Sequence, residues 1–155
     1  MSVADALEHL LPQVGTETSV GSWLAVDQDR INRFADATGD HQWIHTDVER
    51  AQAESPFGST VAHGYLTLSL IPGLTGLVGP DRKRFSGTRL VINYGLNRVR
   101  FPAPVPAGAR VRARMLLQSV EETKNGLLVT EQVTVEIEGG AKPGCVAERL
   151  TLYLF

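Results

Sequence analysis

Hydrophobic positions change period twice along this chain. Residues 1 to 14 place Ala4, Leu7, Leu10 and Leu11 at helical spacing, interrupted by Asp5, Glu8 and His9, which predicts a short amphipathic helix. Thr16 to Val26 carries Thr18, Val20, Trp23, Leu24 and Val26, an imperfect alternation that predicts a strand. Asp27 is a helix-capping residue ahead of Ile31, Phe34 and Ala35, which share one helical face, and Gly39 supplies a stop. A second short helix is expected over Asp47 to Ala53, closed by Ser55-Pro56, because proline disfavours helix in the residue before it.

The stretch from Ala62 to Gly79 is the most apolar. Leu66, Leu68, Leu70, Ile71, Leu74, Leu77 and Val78 occupy almost every face of a helix there, and a helix apolar all round is a buried one. From Arg89 onward the period shortens toward two. Long strands are expected at Ala109 to Glu122, Leu127 to Glu138 and Cys145 to Leu154, joined by Lys124-Asn125-Gly126 and Gly139-Gly140. In the first of them Val111, Ala113, Met115 and Leu117 alternate with Arg110, Arg112, Arg114 and Leu116, so one face is buried and the other starts wet. One strand, small helices, a buried helix and then antiparallel strands is an α+β order. It predicts a hot-dog fold, an antiparallel sheet wrapped around a long central helix, as one domain over residues 1–155.

Composition narrows the function classes. With 43% hydrophobic and 21% charged residues the chain has ordinary globular composition, and a net charge of −2 gives no general attraction to nucleic acid. Cys145 is the single cysteine, so no intramolecular disulfide forms and a reduced, cytoplasmic setting is expected. The first residues lack the basic start of a secretion signal. The run from Gly64 to Val78 is interrupted by Pro72 and glycines and falls short of the roughly 20 residues a bilayer span needs. A soluble protein with no membrane partner is expected.

Candidate chemistry lies between the small helices. Asp40 and His45 stand five apart behind Gly39, and an irregular loop brings a carboxylate and an imidazole to one side. Such a pair suits addition of water to a double bond, where water loses a proton and the adjacent carbon gains one. A second segment, Pro56-Phe57-Gly58 through Ala62-His63-Gly64, puts a glycine at the mouth of the apolar helix, where backbone N–H groups have no intrahelical acceptor. A thioester oxygen on the Gly64 N–H would be stabilised as it gains negative charge. Neither step needs a metal or a cofactor.

Together these residues resemble the MaoC-like (R)-specific enoyl-CoA hydratases, of single hot-dog fold. The resemblance spans most of the chain and rests on Gly39-Asp40 with Ile44-His45, on Pro56-Phe57-Gly58 with Ala62-His63-Gly64, and on Tyr94 with Val99-Arg100-Phe101-Pro102-Ala103-Pro104-Val105. It implies that Asp40 and His45 hold the catalytic water, that the Gly64 N–H binds the thioester carbonyl, and that a trans-2-enoyl-CoA is hydrated to the (R)-3-hydroxyacyl-CoA in fatty-acid metabolism. It also implies a homodimer and a CoA-linked substrate. The chain departs from the family pattern at Gln42-Trp43, where Asn-Pro is usual, and at Pro72, where some members carry serine. Trp43 is then expected to pack the loop onto the core, and Ser69 is a possible substitute hydroxyl.

Other polar residues receive plainer assignments. His41 and His45 form His-x-x-x-His, but Gln42 stands where zinc hydrolases need a glutamate, so no metal is expected. His63 is expected to tie down a loop or helix end, and Cys145 to be a small buried residue. Arg82, Lys83 and Arg84 are candidates for the CoA phosphates; Arg98 and Arg100 are alternatively cross-sheet partners. Two rival functions remain at this point, acyl-CoA thioesterase and noncatalytic acyl-thioester-binding subunit, because a fold does not fix a chemistry.

Overall fold

A computed structural model describes residues 1–77 and 84–155. Helix α1 (Val3–Leu10) is closed by a Ser2–Asp5 capping box and buries Ala6 and Leu10. Strand β1 (Glu17–Val20) and the short β2 (Leu24–Ala25) realise the first predicted strand in two pieces. The break falls at Gly21, where any side chain would run into the Leu74 carbonyl, although the Gly21 N–H still bonds the Ala113 carbonyl at 2.8 Å. Helix α2 (Gln28–Thr38) runs from its Asp27 cap to Gly39 at φ 78°, as its sequence signals require. Helix α4 (Val48–Glu54) is likewise capped by Asp47.

Between them lies an element with no counterpart in the sequence expectations, the single-turn helix α3 (Trp43–Thr46). Within the apolar run, the described residues 62–77 form a shorter helical segment than their composition suggests: α5 (Gly64–Ser69) and α6 (Ile71–Leu74), meeting at Leu70. Pro72 lacks the N–H that would bond the Leu68 carbonyl, so the ladder is interrupted there. Gly73 and Ser69 remain exposed, so the segment buries Leu66, Ile71 and Leu74 rather than its whole circumference.

Strands β4 (Arg110–Thr123), β5 (Gly126–Ile137) and β6 (Cys145–Leu154) form the antiparallel ladder predicted from their alternation. An eleven-residue strand that alternation did not single out, β3 (Leu90–Arg100), pairs with β6, giving the order β1-β4-β5-β6-β3 with β2 also on β4. Inward side chains of β4, β5 and β6, among them Val111, Ala113, Val133, Val135 and Ala147, pack on Leu66, Ile71 and Leu74. The antiparallel sheet around this segment is the hot-dog arrangement. A second cluster joins Leu117, Leu127, Val129, Phe85 and Tyr153 to α1. Outward residues pair across strands, Arg112 with Glu136 at 2.7 Å and Arg114 with Glu17 at 2.8 Å. None of the described helices is long and apolar enough to cross a membrane.

Candidate active site

The three short motifs noticed in the sequence meet at Val61. Its N–H bonds the Ile44 carbonyl at 3.0 Å, its own carbonyl lies 2.6 Å from His45 Nδ1, and it bridges Pro106. On either side, the Ala62 N–H bonds the Val105 carbonyl at 2.8 Å and the Ala107 N–H bonds the Thr60 carbonyl at 2.9 Å. The segment before α5 is thus held from one side by the α3 turn and from the other by the chain that follows β3.

A carbonyl can only accept, so His45 carries its proton on Nδ1 and donates it to Val61. Nε2 is left with a free lone pair. The ring is buried. Burial is the largest influence on its basicity and depresses the pKa below the ordinary 6.5; the Val61 hydrogen bond and the Asp40 carboxylate oppose this, while His63 adds to it. His45 is therefore a neutral base near neutrality.

His63, the residue before α5, donates from Nε2 to the Asp40 carbonyl at 2.9 Å and stacks on His45, with ring centroids 3.8 Å apart and planes 26° from parallel. Its other face meets Phe34 of α2 at 5.0 Å. The loop-tying role expected of it is the one it plays, and the loop it ties is that of Asp40. Asp40 itself is exposed, its Oδ1 3.4 Å from the Gln42 N–H. Asp40, His45 and His63 each place one donor atom within 4.8 Å of the others. That spacing alone would accommodate a cation, but near-parallel stacked rings send their lone pairs alongside one another, whereas a metal needs them to converge.

Gln28, at the start of α2, is a residue that sequence reasoning missed. Its amide donates to the His45 carbonyl at 2.7 Å and to Asn32, and its carbonyl accepts from Thr60 at 2.5 Å. It locks the α3 turn to the strand-like segment before Gly64. Only tertiary structure brings positions 28, 45 and 60 together, and no spacing signals it.

The Gly64 N–H is the first of α5, and the absence of a side chain there is a steric requirement: a Cβ would come within 2.9 Å of the Phe101 ring. This contact joins the Gly64 motif to the one that contains Phe101. Ser69 Oγ bonds the Tyr65 carbonyl at 2.7 Å and is spent within its own helix. Trp43 lies under the Arg50 guanidinium at 4.4 Å rather than against the core. His41 is exposed beside Asp36 at 3.7 Å, apart from His45's partners. Of the cations considered for phosphates, Arg82 and Lys83 lie outside the described residues. Arg84 turns inward to Glu131 at 2.7 Å. Arg98 faces Glu148 at 4.0 Å across the sheet, while Arg100 bonds the neighbouring Val99 carbonyl. Cys145 is buried, which pushes its thiol up to about 11.

Comparison with known proteins agrees with this architecture. The MaoC like domain family matches residues 11–138. The 3-hydroxyacyl-thioester dehydratase Z of Mycobacterium tuberculosis is 48% identical over 155 residues, covering 99% of each chain. Nodulation protein N of Rhizobium leguminosarum bv. viciae is 46% identical, over 97% of this chain and 92% of its own. Among solved structures, an unliganded R-hydratase of Pseudomonas aeruginosa superposes with a TM-score of 0.70 at 23% identity, over 91% of this chain and 81% of that one.

Proposed function

The chain belongs to the MaoC-like dehydratase domain family, and from that premise we propose that it catalyses the reversible (R)-specific hydration of a trans-2-enoyl-CoA to the 3-hydroxyacyl-CoA. The observation that carries this reading is the tautomer of His45. With Nδ1–H given to Val61, Nε2 is left as the proton acceptor of a ring that keeps a nitrogen within 4.8 Å of an Asp40 carboxylate oxygen.

In the hydration direction the thioester carbonyl accepts the Gly64 N–H, and a water molecule lies between Asp40 and His45. The water oxygen bonds the β-carbon as one of its protons passes to His45 Nε2, with Asp40 accepting the other hydrogen bond and orienting the attack. The π electrons of the double bond move onto the carbonyl oxygen, where the Gly64 N–H stabilises the developing enolate. The enolate then takes the proton from the His45 imidazolium at the α-carbon, on the face where water added. Dehydration is the reverse. No electrons are exchanged with any cofactor, so none is required; CoA is part of the substrate, and Arg82 and Lys83 remain the proposed contacts for its phosphates.

The proposed assembly is a homodimer through β3. This strand ends the described sheet and leaves Leu90, Tyr94 and Leu96 exposed, and a long free edge of this kind is normally covered. Sedimentation at micromolar concentration should return twice the chain mass; a monomer would contradict the assembly.

The activity is tested by following the 2-enoyl thioester absorbance and free thiol in parallel. Loss of the chromophore without thiol release is expected. Thiol release would instead assign a thioesterase, and acyl-CoA binding without turnover a noncatalytic subunit.

A further inference from the structure

Charged residues interrupt the inward face of the sheet at one level. Glu131 of β5 and Arg149 of β6 are register partners, and their side chains are 0% and 4% exposed. Arg149 Nη2 lies 2.5 Å from Glu131 Oε2, and its Nη1 donates to Thr75 Oγ1 at 2.9 Å. The other oxygen of Glu131 is taken by Arg84 at 2.7 Å, and Arg84 also approaches the Tyr153 hydroxyl at 3.5 Å.

Two guanidinium groups thus share one carboxylate, leaving one positive charge in excess among the described residues. Among the described residues Arg149 Nε has no hydrogen-bond partner, nor does Thr151 Oγ1, the next inward residue on β6. A structural ion pair needs only one arginine, and a buried unpaired donor is costly.

Arg149 lines a cavity of about 210 Å³. Its other walls are Leu68, Ile71 and Pro72 of the helical segment and Asn93, Gly95 and Leu96 of β3. The helical residues fall at four, seven and eight positions after Gly64, which is one face of a helix. Strand β3 passes in the opposite sense: the Phe101 ring that follows it lies at Gly64, and the cavity-lining Leu96 and Asn93 come earlier in the strand. The cavity therefore lies along the same helix face as Gly64. At 1.5 Å per residue it reaches about 10–12 Å from the Gly64 N–H; an eight-carbon zigzag advances about 1.25 Å per bond, roughly 9 Å in all, and the hydrogen bonds at its two ends span the remainder.

We infer that this cavity holds the acyl group and that Arg149 binds a carboxylate at its far end, so the favoured substrates are enoyl thioesters of dicarboxylic acids. A carboxylate there would offset the excess charge and meet the unpaired Nε donor, while Thr75, Glu131 and Met115 hold the other two nitrogens of the guanidinium in place. The apolar walls accept the methylenes between. This inference rests on the hydratase reading above, since it takes the thioester end to lie at Gly64.

The test compares wild-type kcat/KM for two eight-carbon trans-2-enoyl-CoA thioesters, one ending in methyl and one in carboxylate. At least a tenfold advantage for the carboxylate-ended thioester is expected, and Arg149→Met should abolish or reverse that ratio. Equal or better turnover of the methyl-ended thioester by the wild-type protein overturns the inference and leaves the hydratase reading standing. Turnover of neither thioester removes both. Because the wild-type ratio alone decides, the outcome does not depend on whether the Arg149 variant folds.

Discussion

The imidazoles of His45 and His63 are stacked 3.8 Å apart, and each ring donates one N–H to a backbone carbonyl, His45 to Val61 and His63 to Asp40. These two hydrogen bonds fix both tautomers. They also divide the labour of one site between the rings, since the first orients the base and the second holds the backbone of the carboxylate that works with it. Burial is the main reason His45 resists protonation, and the adjacent His63 ring adds to it.

The pH dependence follows in sign. Burial first, and then His63, hold the His45 pKa below 6.5 in the folded protein, while the unfolded chain takes up the proton near the ordinary value. The stability contributed by a neutral His45 is therefore present above pH 6.5 and lost as pH falls through its lowered folded pKa. Catalytically, kcat/KM should be flat near neutrality and decline on the acid side with an apparent pKa below 6.5. An acid limb centred above 6.5 would show that the base is another group.

Replacing His63 separates its two contributions. His63→Gln can retain a donor for the Asp40 carbonyl but removes the stacked ring; His63→Phe retains a ring and removes the donor. If the donor positions Asp40, His63→Phe should lose kcat by about 10–100-fold with little change in KM, the scale expected when a reacting group is displaced by about 1 Å. His63→Gln should restore most of it while moving the acid limb upward. Equal behaviour of the two variants, with an unmoved pH profile, would reduce His63 to a packing residue.

Gly64→Ala tests the thioester end. Its added methyl meets the Phe101 ring at 2.9 Å, so either the ring or the N–H must move. Loss of one oxyanion donor costs on the order of 10²–10³ in kcat, and Gly64→Ala with Phe101→Leu, which relieves the contact, should recover part of that loss. A single variant with wild-type kcat would show that the Gly64 N–H carries no developing charge.

Much of this architecture was legible in the sequence because local rules agreed with the fold. Asp27 and Gly39 bracket α2, and the alternation in β4, β5 and β6 places their bounds within a residue or two. Strand β3 was not legible. Both its faces are largely exposed, and irregularities between Asn93 and Gly95 and between Leu96 and Val99 break the period. Helix α3 is one turn long and has no periodicity to read. The Asp40, His45 and Gly64 positions were visible as motifs, whereas Gln28, the Val61 carbonyl and the Phe101 contact depend on chain crossings that no spacing reveals. Glu131 and Arg149 did leave a signal: each is a charged residue at an inward position of an apolar strand.

The central claim is that Asp40 and His45 jointly activate one water. Its most direct measurement is single-turnover loss of the 2-enoyl thioester chromophore by wild type, Asp40→Asn, His45→Gln and the double variant, each checked for native folding. Each single variant should lose at least about 10²-fold in rate, within the usual range for general acid–base groups, and the double variant should lose little more than the worse single one, because the two act as a unit. Full activity in either single variant would contradict the claim.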